Sequence, residues 1–542
     1  MCVCDPKNPE KTITMKTNVL IGSLLLFSCL QASAQPSFPK SGEEDREGIM
    51  SEAYWKIWNR DVQEKIDRDI EKNRKADAVL SFADGRPGTE VRIEQVSHDF
   101  IFGAHIFNFD QLGTKERNDR YKSLYGTLFN SATIAFYWNA FEMQPGRLRF
   151  KGEYWDTEEY WNKVEEPKMQ PHWRRPASDP VVEFCESRGI RLHGHTLVWG
   201  NRRWQYPNWI ADELMTGEEK AKMAPLVKEY ASKNNTLRAD EFTEAYERLS
   251  PKKLAGMLPD FTKKIADVQR RRIVEIAEYY QGRIHSWDVV NESAKDYALG
   301  NLAEGEELCK SWYGLMPGEY DYKALKTAEE VFPESVALNI NDYYRDGKGK
   351  AYADQVKGLL ARGCRIDIMG SQMHQLGAKG SRSASEGAEI ETPQIVWDRL
   401  GSFGETGVPI HMSEVTIASP GNGKRDWAIQ AVLTRNMFRL WFSVEPVMGI
   451  TWWNVVDDCG AAGESSTSGL FTRNMEPKTA YYALNELVNE EWKTRKTILL
   501  PESGIVRFRG FKGKYRVTWT DRFGQTQISE FYLKNDGDGF GN

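Results

Sequence analysis

From about residue 98 the chain alternates short apolar runs of strand length with longer stretches whose apolar residues recur at helical spacing. The runs are Phe100–Phe109, Ser131–Trp138, Ile190–Trp199, Ile284–Asn291, Ser335–Asp342, Ile366–His374, Pro409–Val415 and Gly449–Val455. Between them lie helical patterns such as Phe261–Tyr280 and Tyr352–Arg362, the second followed by Gly363 where a helix C-cap belongs. A strand–helix unit repeated for each run predicts a closed (β/α)8 TIM barrel over residues 98–494 rather than an open doubly wound sheet. No glycine-rich phosphate fingerprint follows the first run, which argues against a dinucleotide-binding fold.

Two connections are longer than ordinary barrel loops. Residues 151–178 carry Tyr154, Trp155, Tyr160, Trp161 and Trp173, and residues 201–260 form a second insertion. Loops after barrel strands open on the catalytic face, so long aromatic ones are expected to wall a ligand cleft. Both ends of the chain read differently. Ala76–Phe82, a turn at Asp84-Gly85-Arg86-Pro87-Gly88, and Val91–Val96 form a strand–turn–strand signature. Gly504–Phe511, Tyr515–Thr520 and Gln527–Leu533 are again β-like. Segments 73–97 and 497–535 are expected to build one small β-module that braces the barrel or binds glycan.

Composition narrows the function. A net charge of −6, with both signs interspersed, offers no polycationic face, so nucleic acid is excluded as the natural partner. Trp 18 and Tyr 22 provide many flat rings of the kind that stack on sugars. Met15-Lys16, the apolar run Val19–Leu30 and Ala32-Ser33-Ala34 before Gln35 read as a signal peptide within residues 1–34, starting at Met15. The protein is therefore expected to be secreted or periplasmic. Leu26-Phe27-Ser28-Cys29 offers an alternative: a lipid anchor at Cys29, which would put the protein at the cell surface and make the membrane a partner. Beyond the leader, Cys185, Cys309, Cys364 and Cys459 are scattered without metal spacing. His193 and His195 share a strand face, but no third ligand accompanies them, so neither metal nor cofactor is expected.

The chemistry concentrates on two glutamates. The fourth run ends Trp287-Asp288-Val289-Val290-Asn291-Glu292, and the seventh contains His411-Met412-Ser413-Glu414. Each places a carboxyl at the C-terminal end of a strand, where a barrel holds its catalytic groups rigidly. Two such groups converging to about 5–5.5 Å suit a retaining glycosidase, one protonating the leaving oxygen and the other attacking carbon.

These segments, with His193-Gly194-His195-Thr196-Leu197-Val198-Trp199, Gly370-Ser371-Gln372-Met373-His374, Thr451-Trp452-Trp453-Asn454 and Gly469-Leu470-Phe471, closely resemble the motif series of family 10 glycoside hydrolases, the endo-β-1,4-xylanases. The resemblance spans roughly residues 98–490. It implies cleavage of β-1,4-xylan or a related, decorated β-glycan by double displacement, with a polysaccharide or oligosaccharide as partner. Glu292 would be acid/base and Glu414 nucleophile. Asn291 would bond the sugar 2-hydroxyl, His374 would hold Glu414, and His195, Trp199, Gln372 and Trp453 would line the sugar at the cut. Tyr343 would lie on the leaving-group side and Tyr137 opposite it. Two alternatives stay open: a non-catalytic glycan-binding barrel, and the same mechanism on a non-xylan β-glycan.

Departures from the family's pattern cluster around that pair. Its Glu-Asn-x-x-Lys-Trp after the second strand reads Thr133-Ile134-Ala135-Phe136-Tyr137-Trp138 here. Gly200 replaces a His, Thr416 an Asp, and the Trp-Arg pair expected beyond the eighth strand has no counterpart in 457–468. These changes predict a more apolar pocket, with Trp155, Trp161 or Trp173 supplying replacement contacts. They also predict a lowered pKa for His374, deprived of its acidic neighbour.

Overall fold

The computed structural model describes residues 36–201, 205–207, 209–227, 243–312, 314–343 and 349–541. The expected leader, with Cys29, and much of the 201–260 insertion lie outside these residues. Eight parallel strands close into a barrel in sequence order. They are Ile101–His105, Ser131–Ala135, Arg191–Trp199, Ser286–Asn291, Ala337–Asp342, Ile368–Leu376, Ile410–Ile417 and Val447–Trp452. Each falls within or beside one of the apolar runs. The first two strands stop three or four residues before their runs do, because those tails turn over the barrel rim; Trp138–Phe141 is already a short helix.

The helix Pro259–Tyr280 shows how the outer ring is held. It buries Phe261, Ile265, Ile273 and Ile276 at helical spacing. It also buries Arg272, which donates to the carbonyls of Leu197 (3.0 Å), Thr196 (3.2 Å) and Phe136. That guanidinium ties the ends of the second and third strands together, satisfying carbonyls that strand pairing leaves over. In the helix Lys350–Ala361, Gly363 takes φ +75° just beyond the C-cap Arg362, a conformation glycine reaches without penalty.

Outside the barrel, Lys75–Ser81 pairs with Ile505–Phe511, and Glu90–His98 lies between Arg495–Leu499 and Gly513–Thr520, with Thr526–Leu533 beyond. Val91, Ile93, Phe508, Tyr515, Val517 and Leu533 form a core of their own between these sheets. The helix Arg60–Arg74, which hydrophobic patterning did not single out, lies against Lys424–Ser443, where the Asn73 amide donates to the Ser443 carbonyl at 2.8 Å.

The insertion after the second strand consists of short turns and helices at Tyr154–Asp156, Glu158–Trp161 and Pro167–Met169. It is fastened by a buried ion pair. Arg149 donates to Asp156 at 2.5 Å and to the Ala140 carbonyl at 2.8 Å, and both charged side chains are nearly inaccessible. Asp156 also accepts the backbone amides of Glu153 and Ala177, which closes the loop on itself. Two substitutions test these supports. A Cβ on Gly194 would stand 2.2 Å from the buried Trp287 ring, so Gly194→Ala is predicted to cost about 1–3 kcal/mol in denaturant unfolding. Asp156→Ala strands a buried guanidinium and is predicted to cost roughly 3–5 kcal/mol, against a negligible loss if the pair is dispensable.

Candidate active site

At the C-terminal end of the barrel a cleft of about 700 Å³ is lined by Glu292 and Glu414 with Asn291, His195, Trp199, Gln372, His374, Tyr343, Trp453 and Tyr137. All ten residues singled out in the sequence therefore meet in one place, drawn from seven strands and the turns that follow them. Glu292 leaves its strand with φ +56°, the left-handed region, which costs a residue other than glycine about 1–2 kcal/mol. Its amide still donates to the Asn341 carbonyl at 2.8 Å, so strand pairing reaches up to the turn that aims the carboxyl.

The two carboxylates have different surroundings. Among the described residues Glu292 accepts from the Trp199 indole at 3.2 Å and from the Gln372 amide at 3.4 Å. Glu414 accepts from Asn341 at 2.8 Å and faces two imidazoles, His374 at 3.5 Å and His195 at 3.9 Å. Asn341 also donates to Asn291 at 2.8 Å and accepts from Ser413 at 2.5 Å, while Gln372 donates to Asn291 at 3.3 Å. A continuous amide network thus joins the fourth, fifth, sixth and seventh strands beneath the cleft.

His195 and His193 converge on one carboxylate: His195 Nδ1 lies 2.8 Å and His193 Nε2 2.9 Å from Asp288 Oδ2. Burial opposes the charge of Asp288, yet the adjacent imidazoles hold its pKa far below the ordinary carboxylate range. Burial likewise opposes a charge on His195, but the hydrogen bond with Asp288 and the nearby Glu414 carry its pKa above 6.5. Among the described residues, no cluster of three His, Cys, Asp or Glu side chains is placed to hold a metal ion.

The altered positions have structural causes. Ser311 Oγ lies 3.0 Å from the point a Cβ on Gly200 would occupy, so a larger residue there would press on the strand Leu308–Ser311. Thr416 bonds His374 Nδ1 at 2.9 Å. The expected lowering of the His374 pKa is relative to a chain with Asp at position 416; against the ordinary imidazole value the pKa is raised. Burial pulls it down, but the Glu414 bond and charge, then Glu464 and Glu292, carry it above 6.5. Glu464, in the 457–468 segment, restores an acidic neighbour that the sequence motif had lost.

Nor is the neighbouring wall the expected apolar one. Trp161 is buried against His172 and Trp173 inside the insertion, and Trp155, Trp161 and Trp173 are not among the described residues lining the cleft. The insertion contributes Arg174 and Arg175 instead. Arg174 pairs with Glu464 at 3.2 Å and donates to Asn454 at 3.1 Å. Glu464 further accepts from the Trp453 indole at 3.1 Å and the Asn454 amide at 3.0 Å. Burial works against its charge, but Arg174 holds its pKa at about 2. The Arg175 guanidinium stacks 3.5 Å from the centre of the Tyr137 ring. Sequence reading missed Arg174, Arg175 and Glu464. The adjacent arginines in an aromatic insertion were their visible trace.

A model of glycosyl hydrolase family 10 matches residues 115–240 and 252–487. The chain belongs to that family. Among its relatives, endo-1,4-beta-xylanase B of Thermotoga neapolitana is 26% identical over 346 residues, covering 62% of this chain and 81% of that protein. Endo-1,4-beta-xylanase C of Paenibacillus barcinonensis is 25% identical over 458 residues; the match covers 79% of this chain but only 34% of the relative's length. Native xylanase 10B of Thermotoga maritima is a structural neighbour with 20% identity and a TM-score of 0.49, covering 72% of this chain and 96% of that one. As a family 10 member the chain is a glycoside hydrolase.

The raised His374 pKa fixes a sign. The folded state favours the imidazolium, so its contribution to stability is full below about pH 6.5 and fades as pH rises through the raised value. In an NMR titration His374 is predicted to have its midpoint above 6.5 in the native protein and a lower one in Glu414→Gln. An unchanged midpoint in that variant would rule out Glu414 as the cause.

Proposed function

We propose that this glycoside hydrolase cleaves β-1,4-xylan, or a related β-glycan with a decorated chain, by double displacement with net retention. The unequal surroundings of the two glutamates carry this reading. Glu414, beside two imidazoles that favour positive charge and an amide donor, is stabilised as the ionised nucleophile. Glu292, which accepts from the Trp199 indole and the Gln372 amide, is suited to deliver a proton to the departing oxygen and later take one from water. Asn291, held by Asn341 and Gln372, is oriented for the sugar 2-hydroxyl, a bond that strengthens as the ring approaches the oxocarbenium-like transition state.

The relatives' names support the substrate class: those quoted are described as endo-1,4-beta-xylanases. A glycan-binding role without catalysis fits less well, because binding alone does not require two carboxyl groups with such different partners. Export from the cytoplasm, by the leader expected at the N-terminus, suits a polymeric substrate.

Removal of the nucleophile tests the mechanism. Glu414→Ala is predicted to lower turnover of an aryl β-xyloside by at least about a thousandfold. Azide should then restore part of it and yield the α-glycosyl azide, whereas the native enzyme releases β-configured product. Full activity in Glu414→Ala, or an α product from the native enzyme, would refute the assignment.

A further inference from the structure

Arg174 and Arg175 enter the cleft together but are treated differently. Arg174 is neutralised by Glu464 at 3.2 Å. Among the described residues no carboxylate comes within ion-pair distance of Arg175. Among the described residues its guanidinium donates only from Nη1 to the Arg174 carbonyl, at 2.8 Å. The side chain is nevertheless buried to more than nine-tenths, with a residue exposure of 8%, and it lines the cleft. Burial pushes its pKa down only to about 10, so it remains a cation at neutral pH.

A buried, unpaired charge is costly, and a neutral hydroxyl repays little of that cost. The stacking on Tyr137 explains how the group is held without being consumed. The ring takes the flat face of the guanidinium at 3.5 Å, with Phe107 at 5.5 Å, and leaves in-plane N–H groups free for a ligand. Those donors form a planar fork that matches the two oxygens of a carboxylate. Tyr137 in turn stands edge-to-face with His195 at 5.4 Å and Trp199 at 6.0 Å, the residues that face Glu414 and Glu292. Glu464, an acidic group on the same cleft, is already engaged by Arg174, Trp453 and Asn454 and therefore competes little for Arg175.

We propose that the cleft is built for a glycan bearing a uronic acid, whose carboxylate pairs with Arg175 on a sugar adjoining the bond that is cut. This rests on the function proposed above and names the decoration the substrate carries.

The test compares three xylo-oligosaccharides of one length: bearing glucuronic acid, bearing its methyl ester, and unsubstituted. The readout is the ratio of kcat/KM for acid over ester. The native protein is expected to favour the acid by about tenfold or more. The ratio should collapse toward one in Arg175→Gln and survive in part in Arg175→Lys, which keeps the charge but not the fork. A native ratio near one, or an undiminished ratio in Arg175→Gln, overturns the proposal while leaving the glycosidase reading intact. Should Arg175→Gln fail to fold, the acid-to-ester ratio of the native protein decides, and loss of that preference in high salt supports the pairing. If none of the three is cleaved, the proposed function falls. The acid site is then judged by calorimetric titration of Glu414→Gln with acidic and neutral plant β-glycan oligosaccharides, where equal affinity overturns it.

Discussion

The site depends on one constraint: the buried amides that orient the two glutamates are held by hydrogen bonds to one another. Asn341 is fully buried, and each side of its amide is used, the nitrogen on Asn291 and Glu414, the oxygen by Ser413. Gln372 closes the circuit between Asn291 and Glu292. Leaving one of these groups unpaired in a dry setting costs about 1–3 kcal/mol, so the network has few alternative arrangements. The positions of the carboxyls follow from it, and so does the orientation of the asparagine between them. The left-handed turn at Glu292 is sustained by the same scaffold.

Around this fixed centre, electrostatics separates the two acids. Asp288 lies beneath the cleft and gathers His193 and His195, which favours a charged His195 toward Glu414. His374 approaches the same carboxylate from the sixth strand. Glu292 stands instead among an indole and an amide. Identical side chains thereby acquire different tasks from their neighbours alone.

The surrounding shell has been rebuilt rather than lost. Where the family's motif has a lysine, this chain has Tyr137, and a guanidinium from the inserted loop covers its ring. Where the expected Trp-Arg pair is missing, Glu464 braces Trp453 and balances Arg174. The insertion can do this because the buried Arg149–Asp156 pair holds its base, which gives a loop the rigidity a binding wall requires.

Much of the fold was legible along the chain. Apolar runs of strand length alternate with amphipathic helices, and that periodicity is a local property, so the eight strands and the barrel followed from it. The two glutamates were equally legible as candidates, since each lies in the C-terminal half of an apolar strand or just past it, and a barrel directs those ends toward one face. The strand limits near His105 and Ala135 were not, because the chain there turns while remaining apolar. The helix Arg60–Arg74 escaped notice because it is mostly polar and buries only Ile66 and Ile70. The charged wall was hidden for a different reason. Arg174 meets Glu464 across some 290 residues, and nothing local to either marks the partnership. Whether a given arginine is solvated, neutralised or left facing a cleft is set by what the closed barrel brings beside it. Sequence determined the barrel and its acids; only the tertiary structure decided the charge lining the cleft, because burial and pairing are properties of neighbours in space.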